Sequence, residues 1–494
     1  MKYFIPEWDD RVDPEYDFIN DLHSAEHNEN PFDNDAYIWD IFGLENVPID
    51  GVLVSRMKIV ENKSKFQQIL ETGIHEFLHL PKAFEVMGDC GAWGYADQEE
   101  PPFKTKEILD YYIKCGFDYG VSIDHLVVPA YREHKEKRWK ITLDNAREMF
   151  ELWQSKDEYL QSVRIIGVAQ GWDVDSYKRA VKELLRIGYD YIGLGGLAKA
   201  PTGSESEKKE TKTLLNVVEG TWLTARKWTN ETGRRIDFHI FGVARLQVIS
   251  ELMKYGVTSF DSASFLRRAW LSARNNYFGV DGENYSAIRI PQASATTGRS
   301  PIKKNMVTAK LTELERNALS AMRSFDQGRR PTDEVVRAVL EYDRAIGERR
   351  DLEKYYKETL NNMPWKKCPC TICKEIGIDV IIFRGNNRNR RRGFHNTFVF
   401  YKKLREVSPR IFVFTGCIRI TDERSGLLPA FQRYLSSSVF KIFWDNVLDL
   451  PVEVGVLSPK FGLVDWNKTI PSGHCAERES ELPFFIEELK EKLN

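Results

Sequence analysis

Cys368, Cys370 and Cys373 crowd into the run Cys-Pro-Cys-Thr-Ile-Cys, and His395 follows with 21 residues between. Three thiolates and one imidazole fill all four positions around a tetrahedral zinc ion, and a site with no open position is structural. The competing reading is a set of small buried thiols. Cys90, Cys115, Cys417 and Cys475 are scattered, and seven cysteines in 494 residues argue against a disulfide framework and for a reducing compartment. Between Cys373 and His395, Arg384, Arg388, Arg390, Arg391 and Arg392 fall within nine residues. Guanidinium groups this dense repel one another unless anions lie between them, and their forks match phosphate oxygens. The run therefore reads as a nucleic-acid contact, with a solvated basic face as the alternative.

A second constellation is polar and recurs at the ends of apolar runs. Asp89 ends EVMGD, Asp124 ends VSID, Gln170 ends IGVAQ, Gly195 and Gly196 end YIGLGG, and Asp261 follows TSF. One carboxylate in such a place is commonly a helix cap. Several in succession suggest convergence: paired carboxylates for nucleophilic and acid/base work, an amide to read a base, and a glycine floor under a flat ring.

The elements that must position these residues follow one rhythm from about residue 50 to 290. Short β-prone runs alternate with longer amphipathic stretches, which predicts parallel strands joined by crossover helices. Seven strands are expected, at 51–59, 83–88, 119–124, 163–170, 189–195, 237–243 and 257–262, with helices at 142–154 and 174–188. That number is close to the eight of a closed (β/α)8 TIM-like barrel, whose active site lies at the C-terminal ends of its strands. An open doubly wound sheet is the structural alternative. The expected organisation is an N-terminal extension over 1–50, a barrel over 51–345, a zinc-binding module over 346–404 and a small α/β accessory domain over 405–494. The charged run at 204–212 reads as a solvated loop.

The ordered combination of these segments resembles the tRNA-guanine transglycosylase (queuine tRNA-ribosyltransferase) superfamily over roughly residues 50 to 400. MGDCGAWGY, VAQGW, GLGGLA, FHIFGVARLQVISELMKYGVTSFDSAS and the cysteine cluster with His395 carry the likeness. It implies a zinc-containing barrel, a pentosyltransferase, with Asp261 as nucleophile and Asp89 as general acid/base. Asp124, Gln170, Gly195, Gly196 and Leu197 would line the base pocket. Two departures, Asp89-Cys-Gly-Ala-Trp-Gly and the absence of Leu-Pro-Thr-Arg after Asp261, are similar to the DNA-acting branch known as DpdA. That branch implies exchange of guanine in DNA for a 7-deazaguanine such as 7-cyano-7-deazaguanine (preQ0), alongside helper proteins of a DNA-modification system. A tRNA substrate and a barrel that binds nucleic acid without catalysis stay open.

Two patterns compete for other chemistries. His75-Glu76-Phe-Leu-His79 fits a zinc-protease pattern but is followed at once by Pro81. Gly193-Leu-Gly195-Gly-Leu-Ala198 fits a loose dinucleotide fingerprint, yet it leads into Ala200-Pro201-Thr202-Gly203 rather than a helix on a pyrophosphate. The formal net charge of −2 announces no polyanionic partner by itself, so any nucleic-acid surface must be local. No apolar run is long enough for a membrane span, and an acidic, proline-broken start reads as no signal peptide, hence a cytoplasmic protein.

Overall fold

A computed structural model describes residues 1–155, 163–198, 204–293, 309–409, 411–416, 428–435, 437–448, 452–458, 462–466 and 469–470. The chain divides into two units. One comprises Met1–Trp8, Ile49–Ser262 and Leu404–Asn494, the other Asp9–Pro48 and Ala263–Lys403.

The first unit is built on a closed barrel of eight parallel strands in sequential order. They are β1 (Lys2–Glu7), β2 (Gly51–Ser55), β3 (Glu85–Asp89), β4 (Tyr119–Val121), β5 (Arg164–Ala169), β6 (Tyr191–Leu194), β7 (Asp237–Ile240) and β8 (Val257–Asp261). The seven expected strands are all present, and the open-sheet alternative falls. The eighth strand comes from a segment expected to be an extension: β1 pairs with β2 through Phe4↔Gly51 and with β8 through Phe4↔Asp261, which closes the ring. Its proline, Pro6, hides it from a propensity reading. Phe4, Leu53, Met87, Val121, Ile166, Val168 and Tyr191 form the apolar cluster to which six of the strands contribute.

The crossover helices include α1 (Lys63–Thr72), α2 (Thr105–Cys115), α3 (Lys135–Gln154), α4 (Val174–Ile187), α5 (Ser204–Thr232) and α6 (Leu246–Lys254). The run at 204–212 is thus the start of a 29-residue helix rather than a loop. Lys208, Lys209 and Lys212 are exposed on it, so a helix carries the charge as well as a loop would. His75 and His79 do not make a zinc-protease helix. Only Ile74–Phe77 is helical, His79 has φ 56°, and His75 Nε2 faces Asp118 Oδ2 at 3.3 Å.

The C-terminal segment packs at the N-terminal ends of the strands. It contributes a helix, α7 (Ser438–Val447), and a sheet in which Phe412–Gly416 runs parallel to Glu453–Ser458, itself antiparallel to Gly462–Asp465. Arg164 pairs with Asp190 at 3.2 Å and Asp237 at 2.9 Å while lying over the Trp466 ring. Arg235 donates to the carbonyls of Val447 and Val452. This end of the barrel is therefore structural, and the segment belongs to the barrel unit instead of standing apart. Cys417, Cys475 and Ala200–Gly203 lie outside the described residues. Among the described residues, no helix is long and apolar enough to cross a membrane.

The second unit is mainly helical, with the helices Ala309–Asp326, Thr332–Ala345, Glu353–Asn362, Thr371–Ile376 and most of the long Gly385–Val407. The arginine run lies on the last of these, and here the structure overturns the expectation of phosphate contact. Arg384, Arg388, Arg391 and Arg392 are buried. Arg388 bonds Asp379 at 2.8 Å and also reaches Asp21; Arg384 pairs with Asp21 at 2.6 Å and Glu315 at 2.5 Å. Arg391 donates to the carbonyls of Asp13 and Pro14, Arg392 to those of Val380, Ile382 and Ala269, and the half-buried Arg390 to that of Arg11. The anions between the guanidinium groups are the chain's own carboxylates, and the run clasps the segment around Arg11–Asp21.

Candidate active site

Asp89 closes β3, Asp124 lies three residues past β4, Gln170 directly follows β5, Gly195 directly follows β6 and Asp261 closes β8. All therefore stand at the C-terminal ends of the barrel strands, where a parallel barrel gathers side chains from different loops. Asp89 accepts from the Gly91 N–H at 2.9 Å. Burial, reinforced by the charges of Asp124 and Asp261, pushes its carboxyl up to about 7. Burial likewise pushes Asp124 up to about 6, against the stabilising bond from Gln170. Carboxyl groups at one mouth with such mutual influence can divide their labour, one held protonated and another ionised.

Gln170 is fixed in orientation. Its Nε2 donates to Asp124 Oδ2 at 2.6 Å, and its Oε1 accepts from the Val127 N–H at 3.4 Å. The same amide occupies the space over Gly195 and Gly196: a Cβ on Gly196 would meet Gln170 Oε1 at 2.7 Å, and φ there is +73°. Tyr177 donates to the Gly195 carbonyl at 2.7 Å and holds the turn from below. The two glycines are thus required by the packed glutamine, a different reason from the open floor expected of them. Leu197 follows, half-buried, on the same turn.

Asp261 is 7% exposed. Its Oδ1 accepts from the Gly242 N–H at 2.9 Å and sits 3.2 Å from His239 Nε2. Both contacts fall on one oxygen, Oδ1. His239 was not singled out from the sequence. It is fully buried on β7, and its Nδ1 lies 2.7 Å from Ser259 Oγ, which in turn lies 2.5 Å from Tyr191 OH. A register shift at Phe238/His239 sets His239 opposite Ser259, two residues before Asp261 and so on the same face of β8. That i, i+2 relation was the available signal, but a lone histidine within DFHIF reads as core.

No family model matches the chain. A DNA-guanine transglycosylase from Salmonella montevideo is 34% identical over 423 residues, covering 82% of this chain and 96% of that protein. The chain belongs to the guanine transglycosylases. Archaeal tRNA-guanine(15) transglycosylases match more weakly. The Pyrococcus furiosus protein is 24% identical over 305 residues, covering 60% of this chain and 47% of that one; the Haloarcula marismortui protein is 24% identical over 234 residues, covering 47% and 43%. Like these relatives by name, this guanine transglycosylase is a pentosyltransferase.

The second unit of the transglycosylase holds a separate cluster. Cys368, Cys370, Cys373 and His395 are buried, and the three sulfur atoms lie 3.5, 3.5 and 3.3 Å from His395 Nδ1. His395 Nε2 donates to the Phe278 carbonyl at 2.9 Å, which leaves the Nδ1 lone pair toward the thiols. Tyr277 stacks on the imidazole at 4.0 Å. Donor type, spacing and a satisfied outer nitrogen all fit a closed site for a metal ion.

Proposed function

We propose that this transglycosylase exchanges guanine in DNA for a 7-deazaguanine base, such as 7-cyano-7-deazaguanine, through a sugar ester of Asp261. The observation that carries the reading is the contrast at the barrel mouth: Asp89 is pushed up to about 7 beside Asp261, whose Oδ1 is held by two donors. The substrate polymer rests on the 34% identity to a protein named for action on DNA.

In the first displacement, Asp261 Oδ2 forms a bond to C1′ as the C1′–N9 bond breaks, and the electron pair leaves with guanine. Asp89 supplies the proton that makes the departing base neutral. In the second, the Asp89 carboxylate takes the N9 proton of the incoming base, whose N9 attacks C1′ and returns the Asp261 carboxylate. Two inversions retain the sugar configuration, as in retaining glycosidases. Asp124 and Gln170 line the base pocket, with Gly195, Gly196 and Leu197 on the turn that packs against Gln170; a carboxylate suits the N1–H and amino donors of a guanine edge. A base inside a duplex is out of reach, so the target nucleotide is extruded or already single-stranded. Cys368, Cys370, Cys373 and His395 would hold a structural zinc ion that pins the second unit's fold.

Incubation with radiolabelled guanine and either DNA or tRNA tests the reading. Label entering DNA supports it. Label entering tRNA alone returns the enzyme to the RNA-modifying branch, and label entering neither leaves a barrel that binds without exchanging.

A further inference from the structure

Burial of the arginine run removes the surface that the sequence offered for a phosphate backbone, and a different one lies on the barrel itself. Helices α3 and α4 present facing rows across an open cleft: Trp139, Lys140 and Arg147 on one side, Arg179, Lys182 and Arg186 on the other. The five cations are exposed. Arg147 is balanced by Asp144 at 3.5 Å and Arg186 by Glu183 at 2.6 Å, both of which also line the cleft. Lys140, Arg179 and Lys182 have no ion-pair partner there among the described residues. The row continues to the catalytic mouth. The Arg179 guanidinium lies 5.4 Å from the Trp139 ring centre and 5.6 Å from that of Trp172, over which Lys135 Nζ also sits at 4.5 Å. Asp173, the N-cap of α4, is the anion beside Lys135 and Arg179, and their charges help hold its carboxyl below the usual range after its own hydrogen bonds. Trp172 is two residues from Gln170, whose amide faces Asp124.

We propose that this cleft is the track for the DNA strand flanking the exchanged nucleotide, with phosphates on Lys140, Arg179 and Lys182 and a base on the Trp172 or Trp139 ring. The inference rests on the DNA reading above. Charge complementarity argues for it: the chain carries −2 in all, yet this one face gathers six cations against three carboxylates. Cationic grooves with interleaved aromatic rings are how proteins follow single-stranded nucleic acid, because phosphates bind the charges and any base can stack. The row also runs from the chemistry outward, as a strand leaving an extruded nucleotide must.

The test compares wild type with Lys140→Gln/Arg179→Gln/Lys182→Gln, and with the control Lys106→Gln/Lys227→Gln/Lys254→Gln on other barrel helices. Affinity for a single-stranded oligodeoxynucleotide is read by fluorescence anisotropy at several salt concentrations, and guanine exchange into the same oligonucleotide is measured in parallel. The expected result is affinity lower by about tenfold or more, and a salt slope shallower by about 2, for the cleft variant alone. Its KM for DNA rises while kcat and the melting temperature hold. Equal behaviour of cleft variant and control, with wild type active on DNA, overturns the track and leaves the substrate reading standing. A wild type that exchanges guanine only in tRNA overturns both.

Discussion

At the residue scale, the proposed exchange turns on which oxygen carries a proton. Asp89 is raised to about 7, so its acid form dominates below neutrality and is lost as the pH climbs through that value. Guanine release in a single turnover should therefore fall above about pH 7, and Asp89→Asn should abolish that limb along with most of the rate. The same shift has a stability consequence. A carboxyl with a folded value above its ordinary value of about 3.9 contributes fully below pH about 4 and loses that contribution as the pH rises to about 7. Asp89→Asn should accordingly melt higher than wild type at pH 8 and alike at pH 4; an equal difference at both would refute the assignment. His239 is a positioning residue, because it touches Asp261 and reaches back to Ser259 and Tyr191. A hydrogen bond to a charged acceptor is worth about 1.5–3 kcal/mol, so His239→Phe should cut kcat roughly 10- to 100-fold with little change in KM. Ser259→Ala, which frees the imidazole to choose its tautomer, should give a smaller loss. Unchanged kcat in both would make the histidine simple core.

At the scale of elements, the pattern of strands and strand-end polar residues was readable because a parallel barrel writes each strand as a short apolar run with a polar residue at one end. Asp89, Asp124, Gln170 and Asp261 were all visible that way, as was the cysteine cluster. What escaped depended on partners distant in the chain. Pro6 masked β1, whose partners β2 and β8 begin at residues 51 and 257. The arginine run looked like a polyanion site because Asp21 and Asp379, its ion-pair partners, cannot be paired with it by spacing. Breaking a buried ion pair strands a charge, so Arg388→Ala should lower stability by about 3–5 kcal/mol in denaturant titration. A solvated arginine would cost almost nothing. Cys370→Ser should lose bound zinc by elemental analysis and lower the melting temperature, and a chelator should do the same to wild type; full metal content in the variant would sink the cluster as a metal site.

At the scale of the whole molecule, the two ends of the barrel unit are built differently. Arg164, Arg235 and Trp466 lock the C-terminal segment against the N-terminal ends of the strands, while the C-terminal ends carry the carboxylates. The central claim is that Asp261 becomes esterified to the sugar. Its most direct test is to mix the enzyme with a guanine-containing oligodeoxynucleotide without an incoming base, denature rapidly, digest with protease and nuclease, and locate the adduct by mass spectrometry. A deoxyribosyl ester is expected on the peptide containing Asp261 and absent from a folded Asp261→Asn variant. An adduct on Asp89, or an active enzyme that forms no adduct at all, would contradict it.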